Sequence, residues 1–69
     1  MQTIDNGPIQ IKDGQLMLQS EYNGTVIIGE AAMKGDRSIP FGLGDWIVAV
    51  IQMGVAGYRP VVVEIIGKV

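Results

Sequence analysis

From residue 8 to residue 31 apolar and polar positions alternate with a period of two, and two turn dipeptides, Asp13-Gly14 and Asn23-Gly24, interrupt the alternation. Successive side chains of a strand point to opposite faces, and Asp-Gly or Asn-Gly between such runs favours a two-residue hairpin loop. The pattern predicts an antiparallel meander of three strands. Centred on Asp13-Gly14, the first hairpin sets Lys12 against Gln15, Ile11 against Leu16, Gln10 against Met17 and Ile9 against Leu18. The same geometry at Asn23-Gly24 sets Tyr22 against Thr25, Ser20 against Ile27, Leu18 against Gly29 and Leu16 against Ala31. Ile9, Ile11, Leu16, Leu18, Tyr22 and Ile27 then share the core face, while Met17 and Met33 contribute to the other. Pro8 is expected to open the first strand, where its missing N–H is harmless.

Residues 34 to 45 contain three glycines, a proline and four charged residues, which predicts a long loop. Beyond it the alternation is lost. Residues 46 to 53 are rich in β-branched side chains and read as a strand; the alternative is a helix at about 45–57, with Asp45 as its N-cap and Gly57 near its end. Val61 to Ile66 is a further strand. Both late strands are apolar on both faces, and such strands need cover on both. A closed small barrel or a subunit interface supplies it. The fold class expected is therefore all-β, a single domain over 1–69: a small meander or SH3-like barrel of five or six short antiparallel strands, with α+β as the alternative.

Composition sharpens the need for cover. The 69 residues are 48% hydrophobic and 17% charged, with mean hydropathy +0.33, against a usual charged share of about 25%. Cysteine and histidine are absent. Disulfides, thiolate or imidazole metal sites, cysteine nucleophiles and imidazole bases are thereby excluded. A domain this small usually draws on a staple, and association with further copies is the one left. Five basic residues against seven acidic give a net charge of −2. The basic residues are scattered, which disfavours nucleic acid as a partner. The segment Met1-Gln2-Thr3-Ile4-Asp5 lacks the basic and apolar regions of a secretion signal, so the expected location is cytoplasmic or particle-associated. The most apolar window, residues 46–58, is shorter than the roughly 18 residues that span a bilayer, so no membrane span is expected.

Little of the candidate chemistry is specific. Gly42-Leu43-Gly44 lacks the third glycine of a dinucleotide loop, since Ile47 stands there. Glu30, Asp36 and Asp45 offer oxygen ligands without the spacing of an ion loop. Glu64 stands alone in an apolar strand; it either pairs with Arg59 or Arg37 or points outward and protects a strand edge. No cofactor, metal or catalytic residue is expected, and the protein is read as no enzyme.

Two functions fit these features. The first is a structural or assembly protein acting as a symmetric homo-oligomer, a trimer or ring, with particle or virion association as a compositional suggestion. Its interface would come from Ile47, Val48, Val50, Ile51, Met53, Val62, Glu64 and Ile66. The alternative is a barrel that binds nucleic acid or a small ligand through the 34–46 loop, with Arg37, Phe41 and Trp46 as contacts.

Overall fold

The computed structural model describes residues 1–35, 38–54 and 56–69. Its elements are β1 (Gln2–Lys12), β2 (Gln15–Ser20), β3 (Gly24–Ile28), α1 (Glu30–Lys34), β4 (Trp46–Gln52) and β5 (Val61–Lys68). The five strands close into a barrel in the order β1-β2-β3-β5-β4. The all-β expectation holds, and residues 46–52 form a strand, not the alternative helix. Closure gives the late strands their missing cover on one side. Ile47, Ala49, Ile51, Val62 and Ile65 point into the barrel and are fully buried beside Ile9, Leu18, Val26, Ile28 and Ala32.

The first hairpin has the expected register, Ile9 to Leu18 through Lys12 to Gln15. Asp13 and Gly14 both adopt positive φ, 52° and 78°, as a type I′ turn requires. The second hairpin corrects the sequence reading. Its loop is three residues, Glu21 to Asn23, and Gly24 at φ 70° pairs with Ser20, so Met17 faces Ile27 and Leu18 faces Val26. The shift from the expected pairing is an odd number of residues and therefore inverts β3. Val26 and Ile28 enter the core, Ile27 faces outward, and Tyr22 sits on the turn at 80% exposure. Ile11 is also exposed, and Leu16 packs only against the rim of the core.

Three further features depart from the expected meander. β1 begins at Gln2, and Pro8 lies inside it, one residue before the ladder to β2 starts at Ile9. That changeover is where a missing N–H is tolerated, so the N-terminal half of β1 is free to pair with β4 from Gln2 to Pro8. Secondly, β3 ends in α1, which turns the chain across the end of the barrel and buries Ala32. Gly35 at φ 74° stops this helix and returns its N–H to the Ala32 carbonyl at 3.2 Å. Thirdly, the barrel is closed by a parallel pair, Ile27 with Val61 and Ile28 with Val62, the other four pairings being antiparallel. Beyond that short pair the edge of β5 is covered by the incoming loop. The Ile39 N–H donates to the Ile65 carbonyl at 3.0 Å, and the Ile65 N–H donates to Ser38 Oγ at 2.9 Å.

Candidate functional site

Two of the basic residues scattered in the sequence meet in the fold. Lys34 Nζ lies 3.0 Å from Glu30 Oε1 on α1, and Lys68 Nζ lies 3.3 Å from Asp45 Oδ2. These are the ion pairs among the described residues, and they leave Lys12 and Arg59 unpaired. Both line one cleft of about 290 Å³. The β1–β2 turn supplies Lys12 and Asp13, β2 and β3 supply Met17, Thr25 and Ile27, and the β4–β5 loop supplies Arg59 and Pro60. Inversion of β3 makes this floor: turned outward, Ile27 lies opposite Met17, and the pair forms an apolar bed between two cations. Tyr58, next to Arg59, is 81% exposed. Asp13 brings the formal charge of the lining to +1. The cleft thus places two cations and one carboxylate around an apolar floor.

Comparison with protein-family models, with curated proteins and with solved structures finds no match for this chain. Its function therefore rests on its own geometry.

The residues named from the sequence fall in three places. Ile47, Ile51 and Val62 are fully buried inside the barrel and are unavailable to a partner, and Met53 packs against the core from the end of β4. Val48, Val50 and Glu64 lie on the outer face, where cross-strand rows run Ile4–Val50–Glu64 and Asn6–Val48–Gly67. Ile66 is 43% exposed beside them. Glu64 makes no ion pair with Arg59; it lies half-buried on the outer face of β5 opposite Val50, and its other named partner, Arg37, lies outside the described residues.

Of the loop contacts, Phe41 and Trp46 take different places. Phe41 packs against the core and lines a shallow cleft with Ala32, Met33, Ile39 and Pro40, whereas Trp46 is on the outer face of β4 opposite Pro8. Arg37 and Asp36 lie outside the described residues. Glu30 and Asp45 each face a lysine instead of converging on an ion, and the described residues contain no cluster of three or more potential metal ligands. Asp45 tightens the loop: its carboxylate accepts the Gly42 N–H at 2.8 Å, which with the Lys68 contact holds its pKa below the usual aspartate value. No helix among the described residues is long and apolar enough to cross a membrane.

Asp5 is the polar residue that sequence reasoning missed. It is buried on β1 and accepts hydrogen bonds from Ser20 Oγ, from the Tyr22 N–H at 3.2 Å and from Asn23 Nδ2 at 3.0 Å, besides its neighbour's N–H at Asn6. It fastens the β2–β3 turn to β1 and thereby helps fix the register that exposes Ile27. An aspartate in an N-terminal segment carries no local signal of that role.

Proposed function

We propose that the protein is a non-enzymatic binding module that takes a short stretch of single-stranded nucleic acid in the cleft between the β1–β2 turn and the β4–β5 loop. The observation that carries this reading is the convergence of the two unpaired cations, Lys12 and Arg59, on either side of the Met17–Ile27 floor. Phosphates meet the cations, while bases lie on apolar side chains and on the exposed Tyr58 ring. Placement supports it as well. Five-stranded oligonucleotide- and oligosaccharide-binding barrels use the face of their second and third strands with the flanking loops one–two and four–five, the position this cleft occupies. That likeness is one of architecture, and the side chains carry the argument.

Two cations make a weak binder with a shallow salt dependence. Single-stranded binding loses about 0.7 in log K per unit of log salt for each phosphate neutralised, so two contacts give a slope of about −1.4. In a salt titration of a labelled thymidine hexamer, Arg59→Ala is expected to lower that slope to about −0.7. A slope unchanged by Arg59→Ala, or no binding at low salt, overturns the proposal.

A second reading, the homo-oligomer, draws on the outer face of β1, β4 and β5. Ile4 at 63% exposure, Val48, Val50 and Ile66 form an apolar surface with Glu64 as its acidic member. On this reading light scattering across a dilution series yields a discrete multimer, which Val50→Lys splits into monomers. A monomer at all concentrations removes it.

A further inference from the structure

Trp46 lies apart from the cleft, yet the register of β1 connects the two. Outward-facing positions of β1 alternate: Lys12 lines the cleft, Gln10 is paired with Met17 on the cleft floor, Pro8 is paired with Trp46, and Asn6 accepts the indole N–H of Trp46 at 3.0 Å. The indole thus reaches diagonally across β1, pinned by a hydrogen bond on a neighbouring strand, and it remains 46% exposed. A tethered, half-exposed ring is pre-organised for stacking, because its orientation is fixed before a ligand arrives.

We infer that Trp46 is a second contact on the same ligand, a stacking station for a base about four to six residues of strand away from Lys12. This inference rests on the nucleic-acid reading of the cleft. The four to six residues from Lys12 to Pro8 and Asn6, at about 3.3 Å each, span about 13 to 20 Å, or four to six nucleotides at the stacked spacing of about 3.4 Å. That is the lower end of the roughly 4 to 16 nucleotides that single-strand-binding barrels cover. A dinucleotide in the cleft falls short of Trp46, whereas a hexamer reaches it.

The length dependence supplies the test. Trp46 is the sole tryptophan, so its emission reports on this station alone. The thymidine hexamer is expected to quench Trp46 and the thymidine dinucleotide to leave it unchanged. Trp46→Ala is expected to weaken the hexamer on the order of tenfold, the scale of losing one stacked base, with dinucleotide affinity unaltered; Trp46→Phe recovers part of the loss and controls for folding. If the hexamer binds in an Arg59-dependent manner without quenching and without a Trp46→Ala penalty, the second station is refuted while the cleft stands. If neither oligonucleotide binds, the cleft reading and this inference fall together.

Discussion

Gly7→Ala is expected to destabilise the fold severely, an effect out of proportion to one methyl group. Gly7 is buried on β1 where it passes the end of β2, and a Cβ there collides with the backbone carbonyl of Gln19, with Leu18 Cδ1 only 3.3 Å away. A backbone atom in a closed barrel cannot step aside as the end of a flexible side chain can. The expected cost is about 3 kcal/mol or more, a large part of the roughly 3 to 10 kcal/mol that a chain of this length commands. Gly14→Ala is the control: it has open space at its Cβ and pays only for its φ of 78°, about 1 kcal/mol. Urea unfolding of the two variants checks the contrast; a Gly7→Ala protein as stable as Gly14→Ala contradicts the close crossing of β1 over β2.

The second large effect is expected at Asp5. Asp5→Ala leaves the Ser20 hydroxyl, the Tyr22 N–H and the Asn23 amide without their acceptor, which costs about 2 to 4 kcal/mol. The pH dependence gives a sharper signature. Burial is the largest single influence on this carboxyl and pushes its pKa up, but hydrogen bonds from Ser20, Asn6, Tyr22 and Asn23 together outweigh it and hold the pKa below the ordinary aspartate value. A group whose pKa is depressed by folding stabilises the protein above its unfolded pKa, and that stability is lost as pH falls through the folded value. Wild-type stability should therefore decline below about pH 4. In Asp5→Asn the neutral-pH stability should be lower and this part of the acid decline absent. Parallel acid profiles for the two proteins would contradict the assignment.

What the sequence revealed, and what it hid, divides along local and non-local lines. Asp13-Gly14 fixed the first hairpin because its two positive-φ positions are a local demand. Asn23-Gly24 misled because glycine also serves as the left-handed residue closing a three-residue loop, and the choice between loops is made by Asp5, 18 residues from Asn23. The alternation in β3 could not arbitrate, since Val26, Ile27 and Ile28 are all apolar. The strand at 46–52 was legible from its β-branched residues. The N-terminal half of β1 was not, because Asn6-Gly7-Pro8 reads as a break until pairing with β4 overrides it. Helix α1, five residues without a side-chain cap, has almost no sequence signature.

The candidate site was illegible for the same reason. Lys12 ends β1 and Arg59 lies in the β4–β5 loop, 47 residues later, and only the closure of β3 onto β5 carries that loop to the β1–β2 turn. The glycine-rich loop at 34–45 is the longest irregular stretch of the sequence, but its described residues serve the barrel itself. Ser38 and Ile39 cover the edge of β5, Phe41 packs on the core, and Asp45 holds Gly42. Of the two named contacts among the described residues, Trp46 is the one presented to solvent, and it stands on a strand instead of the loop.

Mapping backbone amide shifts while the thymidine hexamer is added tests the account most directly. Perturbations are expected to concentrate at residues 12–17, 25–27 and 58–61, with the Trp46 indole N–H moving as well. Shifts confined to 34–45, shifts on the Ile4–Val50 face alone, or an unperturbed spectrum at low salt would contradict it.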